Sequence, residues 1–190
     1  MDTFVIRTLS PVTWDDFASL VERHNGVWGG CWCLEFHEDG RARGLDRKDK
    51  KLCHVQRGTA HAALVYKENR CVGWCQFGTP AELPRIKHRK EYENGIDALP
   101  DWRVTCFFTD KEFRGRGVSN AALKGALTQI EGLGGGLVES YPEAVAGRKV
   151  SASFLYNGSL SLFEHHGFER VRRLGKNHWV VAKHVRENEA

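Results

Sequence analysis

The stretch from Trp102 to Ile130, WRVTCFFTDKEFRGRGVSNAALKGALTQI, constrains the fold more than any other part of the chain. A run rich in β-branched and aromatic residues ends near Phe108 and reads as a strand. After a short polar link, Arg114, Gly115, Arg116 and Gly117 lead directly into Val118, Ala122, Leu123, Ala126, Leu127 and Ile130, which recur at helical spacing. Gly132, Gly134, Gly135 and Gly136 then stop the helix. A strand, a glycine turn and a helix in immediate succession set the helix's unpaired amides and the positive end of its dipole at the end of the strand. With two arginines beside it, such a turn suits an anion.

The remaining elements follow from local pattern. FVIRTL (Phe4 to Leu9) reads as a strand, and Ser10-Pro11 supplies the start of a helix over VTWDDFASLVERH. Four glycines (Gly26, Gly29, Gly30, Gly40) interleave with Trp28, Trp32 and Phe36, which fits an irregular segment that forms either part of a substrate wall or the edge of the core. GRARGLDRKDKK is expected to be a solvated surface, and a helix follows it. AALVYK and CVGWCQFGT read as two antiparallel strands around Glu68-Asn69-Arg70. Ala81 to Pro100 reads as a loop, LVESY as a strand, SLSLFEHH as a short helix closed by Gly167, and FERVRRL with HWVVAKHV as a final hairpin. The expected order is β-α-(α)-β-β-β-α-β-α-β-β, without a repeat or a dividing linker.

Three phosphate-binding patterns compete for the glycine turn. The Walker loop is excluded because no Gly-Lys-Ser/Thr follows at the required spacing. The dinucleotide fingerprint G-x-G-x-x-G matches Gly115 and Gly117 and finds Glu139 near its ribose position, but it lacks a third glycine at Asn120. The third pattern, Arg/Gln-x-x-Gly-x-Gly/Ala, reads here as Arg114, Gly115, Arg116, Gly117, Val118 and Ser119, with serine in the last place. Together with a later LFEHHGFERV (Leu162 to Val171), a short helix ending in Gly-Phe before the last strands, this segment resembles the GCN5-related N-acetyltransferase (GNAT) superfamily. The resemblance covers roughly Ala63 to Val185.

That resemblance implies a mixed α/β fold with a central, mostly antiparallel and splayed sheet flanked by helices, built as a single domain over residues 1–190. It implies an acetyl-CoA-dependent N-acetyltransferase that moves the acetyl group directly to a primary amine of a small molecule or peptide. Acetyl-CoA as cosubstrate would be held by Phe107, Phe108, Thr109, Arg114, Gly115, Arg116, Gly117, Val118, Ser119 and Asn120. Many members of the superfamily use a tyrosine as general acid one residue before the Glu of the short helix, where this chain has Phe163. Tyr156 and Tyr141 are the candidate replacements, and Glu139 is the first candidate base, with Glu143 second. A water chain that needs neither carboxylate, an acyl-enzyme on Cys106, and a binding domain without catalysis remain alternatives, as does a dinucleotide-binding oxidoreductase. A homodimer is a family-level implication only.

Composition narrows the partners. With 28 basic and 24 acidic residues the formal charge is +4, too small for the footprint of a nucleic-acid binder. No run approaches the roughly 18 apolar residues needed to span a bilayer, and the N-terminal segment lacks the features of a secretory signal, so a cytoplasmic location is the expectation. There the six cysteines would be thiols. Cys31-x-Cys33, Cys71-x-x-x-Cys75 and Cys53-His54 form no pair of CxxC units, and no metal is expected. Trp28, Trp32, Trp74 and Phe77 are candidate walls for an apolar acceptor, while Glu35, Glu139 and Glu143 would attract a cationic amine.

Overall fold

The computed structural model describes residues 3–42, 44, 46–145, 147 and 150–187, with Ala152 and Ser153 described by their backbone alone. Strand β1 (Val5–Thr8) leads into helix α1 (Trp14–Arg23), and Thr13 makes the corner: its Oγ1 accepts from Ser10 N at 2.9 Å and donates to Thr8 O at 2.7 Å. Trp14, Phe17, Ala18, Leu20 and Val21 fall on one face of α1 and are buried. Asp46 caps α2 (Arg47–Gln56) by accepting from Asp49 N at 3.0 Å. Then come β2 (His61–Lys67), β3 (Arg70–Gly78), a short α3 (Arg89–Glu93), β4 (Trp102–Thr109), α4 (Val118–Gly132), β5 (Gly136–Ser140), α5 (Leu160–His165), β6 (Glu169–Leu174) and β7 (His178–Val185). The order matches the sequence reading, apart from α3, which lies inside the stretch expected to be a loop.

The seven strands form a sheet in the order β1-β2-β3-β4-β5-β7-β6, in which β4 and β5 run parallel and every other neighbouring pair antiparallel. This is the mixed α/β, mostly antiparallel architecture expected. β4 and β5 pair through only three register positions, Trp102 with Val138, Arg103 with Glu139 and Val104 with Ser140, and then diverge. On the other side of β4 the register with β3 slips between Gln76 and Phe77, which leaves Thr105 as the extra residue of a bulge. The sheet therefore opens at the C-terminal half of β4.

Alternation sorts the side chains to two cores. Leu64, Tyr66, Trp74, Cys106 and Phe108 pack toward α1 and α2, while Val65, Phe77, Val104, Phe107 and Val118 pack with α4 and α5. Trp74 lies at the centre of the first core, 4.8 Å from the Phe108 ring and 4.9 Å from Phe17. Such aromatic pairs contribute about 0.5–1.5 kcal/mol each beyond their buried area. On the second face α4 comes close to the sheet because β3 carries Gly73 beneath it. A Cβ there would lie 2.5 Å from Val118 Cγ1 and 2.6 Å from Phe108 O. Among the described residues no helix is long and apolar enough to cross a membrane.

Candidate active site

The first turn of α4 is anchored from below and left open above. Asp110, buried at the end of β4, takes hydrogen bonds from Arg70 at 2.9 Å and the Glu112 amide at 3.1 Å, and His24 lies 3.3 Å away. A 3-10 turn at Lys111–Phe113 follows, and the Arg116 guanidinium packs 5.4 Å over the Phe113 ring. Gly117 is the N-cap at φ +87°, a conformation in which a β-carbon is strained. No side chain caps the helix and its first turn holds no acidic residue, so the leading amides and the dipole are available to an anion.

Beside this helix start lies a cavity of about 360 Å³, lined by Trp28, Phe107, Phe108, Thr109, Arg114, Gly115, Gly117, Val118, Ser119 and Asn120, together with Phe113 and Leu155. Of the ten residues assigned to the coenzyme in the sequence, only Arg116 lies outside this lining. The floor is β4 itself. Asp110 N donates to Val72 O at 2.8 Å, and the alternation of an antiparallel ladder then turns the backbone groups of Phe107 and Thr109 away from β3 and into the gap. Thr109 Oγ1 and Ser119 Oγ are 3.3 Å apart across the top. His166, half-buried at the end of α5, meets Asn120 Oδ1 at 2.8 Å, whereas His165 faces solvent. An uncapped helix start, open glycine backbone and exposed strand amides together fit the diphosphate and the amide-rich arm of a coenzyme A.

Trp28 also lines a second cavity of about 300 Å³, with Gly29, Cys31, Glu35, Phe36, Arg47, Cys106 and Tyr156. The indole stands edge-on to Phe108 at 6.4 Å and separates the two spaces. The segment that carries it is strained: Asn25, Val27, Trp28, Trp32 and Cys33 all have φ between 48° and 54°, in the left-handed region that a β-branched residue rarely enters. Packing holds it there. Trp32 is buried against Trp14 at 6.0 Å, and Trp32 N donates to Gly26 O at 3.2 Å.

Tyr156 enters the second cavity from a 3-10 segment at Ala152–Asn157 that precedes α5 as a separate element; α5 starts at Leu160, where Ser159 accepts from Leu162 N at 3.3 Å. Leu155 lines the first cavity and Tyr156 the second, so consecutive residues of this turn face different cavities. Asn157 Nδ2 donates to Thr105 O at 2.8 Å and fastens the turn to the β4 bulge. Burial raises the Tyr156 phenol above its ordinary value, helped by the negative potential of Cys106, Glu143 and Glu35.

Behind the cavity wall lies a polar cluster that was not legible in the sequence. Lys51, expected on a solvated surface, is 1% exposed. Its Nζ donates to Gln76 Oε1 at 2.8 Å and Cys33 O at 3.3 Å, and meets His37 Nε2 at 3.4 Å. Burial pulls the ammonium down, and the thiols of Cys33, Cys106 and Cys31 oppose it. Burial would raise the Cys33 thiol, but a hydrogen bond from Cys106, the Lys51 charge and the Trp74 indole outweigh it. Cys106 is pushed up, first by its hydrogen bond to Cys33 and then by burial. His37 is held neutral by burial and by Lys51 and His54, its value lowered to about 2. Of the charged run, Arg43 and Leu45 lie outside the described residues, and most of the others are exposed as expected.

The remaining sequence candidates gather elsewhere. Glu139 and Tyr141 line neither cavity. Glu139 Oε2 accepts from Tyr92 Oη at 2.6 Å and Tyr141 Oη at 3.2 Å inside a buried cluster with Leu174 and Val180. Burial drives the Tyr141 phenol well above its usual range. Glu143 Oε2 sits 3.0 Å from His178 Nε2. Phe163 is fully buried, edge-on to Phe107 at 5.9 Å and Phe168 at 5.0 Å. Of the aromatic wall candidates, Trp28 and Phe36 line the second cavity, while Trp32, Trp74 and Phe77 belong to the core. All six cysteines are free thiols.

No protein-family model matches the chain, and no curated protein matches its sequence. Solved structures do match its fold. A Corynebacterium glutamicum protein described as histone acetyltransferase HPA2 and related acetyltransferase aligns over 99% of both chains at 13% identity with a TM-score of 0.57. A Desulfovibrio desulfuricans protein assigned to the GNAT family of acetyltransferases aligns over 96% of this chain and 99% of its own, at 14% identity and a TM-score of 0.55. The PaiA N-acetyltransferase of Thermoplasma acidophilum, solved in complex with coenzyme A, aligns over 96% and 99% at 13% identity and a TM-score of 0.53. The chain has the fold of the GNAT acetyltransferases.

Proposed function

We propose that the chain is an N-acetyltransferase that takes its acetyl group from acetyl-CoA and passes it directly to a primary amine. One observation carries this reading: Trp28 lines both the cavity at the uncapped start of α4 and a second cavity beside it, and the turn at Leu155 and Tyr156 contributes a residue to each. The GNAT fold supports it.

Acetyl-CoA supplies an activated acyl carbon. The amides of Gly117, Val118 and Ser119, with Arg114, hold its diphosphate, and the exposed backbone of Phe107 and Thr109 pairs with its arm. An amide in that gap also stabilises negative charge that develops on the acyl oxygen. Glu35, the carboxylate among the residues that line the second cavity, is ion-paired with Arg41 and attracts the acceptor's ammonium in competition with it, while the ammonium proton leaves through water. Tyr156, kept protonated by burial, returns a proton to the departing thiolate, in place of the phenol that Phe163 lacks. Glu139, whose oxygen is already engaged by two phenols, is given no proton-transfer role.

The test is a melting curve of the purified protein with acetyl-CoA, CoA, NAD and ATP, since a ligand of the native state must stabilise it. Shifts with both coenzyme A species alone, followed by thiol release with an amine, support the proposal. A shift without thiol release across a broad amine panel supports the binding-only alternative that Phe163 suggests. No shift with either coenzyme removes the assignment.

A further inference from the structure

The second cavity does not end at Tyr156. Glu35, Phe36 and Tyr156 also line an adjoining groove of about 460 Å³, whose other walls are Arg41, Arg85, Ile86, Lys87 and Arg89. The two spaces share these three wall residues, and their charges differ. The inner part holds Glu35 and Arg47, while the outer part brings four cations to the same single carboxylate.

Two of those cations are already matched. Arg41 pairs with Glu35, and Arg89 pairs with Glu93 at 2.6 Å. Arg85 and Lys87 have no carboxylate within ion-pair distance among the described residues. Arg85 is held in place from behind, because its backbone amide donates to Phe36 O at 3.1 Å on the wall shared with the inner cavity. Its Nε is buried and has no hydrogen-bond partner among the described residues. Arg85 lines the groove without a matching carboxylate, and the group that a guanidinium binds with two parallel bonds is a planar or tetrahedral oxyanion. Tyr156 at the junction means that a molecule with its amine in the inner cavity extends past the phenol toward Arg85.

We propose that the acceptor is a small amine with a carboxylate or phosphate at its far end, bound by Arg85 with Lys87 in the outer groove. This rests on the acetyltransferase reading for the amine end and on the groove alone for the anionic end. Selectivity then comes from charge at a distance from the reacting nitrogen: the anion fixes the acceptor's register, and the inner cavity receives whatever alkyl or aromatic spacer separates the two groups.

The experiment compares amines that differ only at the far end: hexylamine, 6-aminohexanoate, 6-aminohexyl phosphate and 1,6-diaminohexane. The expected result is a kcat/KM at least tenfold higher for the anionic pair than for hexylamine, with the diamine lowest. The larger of the two anionic values identifies the carboxylate or the phosphate as the favoured head. Arg85→Gln lowers the ratio of 6-aminohexanoate to hexylamine at least tenfold, and the double variant Arg85→Glu, Lys87→Glu inverts the order toward the diamine. A ratio near one in the wild type, or one that neither variant changes, overturns the proposal. A second readout needs no turnover: the Arg85 Nε–H resonance, assigned by its loss in Arg85→Lys, shifts on titration with 6-aminohexanoate but not with hexylamine. Equal response to both overturns the anion site. A positive resonance test with no coenzyme-induced melting shift retains the groove and removes the acetyltransferase reading, so the two failures are told apart.

Discussion

The side-chain amide of Asn157 donates to the carbonyl of Thr105 at 2.8 Å and ties the turn that carries Tyr156 to the bulge of β4. Asn157 is 2% exposed and Thr105 is fully buried, so the bond is made out of water. Asn157→Ala leaves a buried carbonyl unpaired, which costs about 1–3 kcal/mol. We expect a lower urea midpoint and reduced kcat with coenzyme affinity retained. Equal losses of kcat and of coenzyme affinity would mean that the bond supports the whole gap rather than the tyrosine.

Tyr156→Phe isolates the phenol. General acids contribute about 10²–10⁴-fold, so turnover is expected to drop by about 10²-fold or more while acetyl-CoA still raises the melting temperature as in the wild type. The alkaline limb of the pH–rate profile should disappear with the hydroxyl, because that limb reports its ionisation. Wild-type turnover in this variant would transfer the proton step to another group.

Gly117→Glu tests the helix start. The space around Gly117 is open, with no neighbour among the described residues within 4 Å of where a Cβ would lie, so the cost lies in its φ of +87° and in the added charge. The carboxylate would occupy the place assigned to the diphosphate. Coenzyme-induced stabilisation should vanish, whereas Gly117→Ala should weaken it and lower stability by about 1 kcal/mol. Unchanged CoA affinity in Gly117→Glu would show that the anion site is elsewhere.

His37 links the buried cluster to pH. Its folded value is lowered to about 2 by burial and by Lys51 and His54. The unfolded chain therefore binds a proton below about pH 6.5 that the native protein refuses, and stability falls as pH falls through that window, by at most about 1.4 kcal/mol per pH unit. His54 and His166 are also lowered by burial and act in the same direction. The urea midpoint should drop between pH 7 and pH 5, above the range where carboxylates titrate, and His37→Gln should flatten that slope. An unaltered slope would assign the acid sensitivity to other histidines.

The helix after the glycine turn, the strand before it and the closing hairpin were readable because their signals are local: periodicity, turn residues and spacing within one element. Lys51 was not, since a lysine in a run of charges is ordinarily solvated and its acceptors come from the segment at Cys33 and His37 and from Gln76 on β3. Glu139 shows the same limit. A strand pattern gives its parity, but the nearer of the two phenols that bind it belongs to α3, 47 residues earlier in the chain and in a stretch that reads as loop. Glu35 and Tyr156 stand out in the sequence as single residues; their meeting at one cavity depends on a strained loop and a separate 3-10 turn that no periodicity announces.

β6 is the last strand of the sheet, and the residues it presents include Arg170, Arg172 and Arg173. Arg170 and Arg173 lie 5.2 Å and 5.5 Å over the Trp179 ring of β7 and cover apolar surface next to the open ladder. An unpaired edge is a template on which another chain can grow, and charged side chains along it oppose that growth, although Arg170 is paired with Glu164 at 2.6 Å and Arg172 donates to Tyr92 O at 2.6 Å. The protein should stay dispersed when concentrated at low salt, and neutralising these arginines should bring fibrous or amorphous association before any loss of fold.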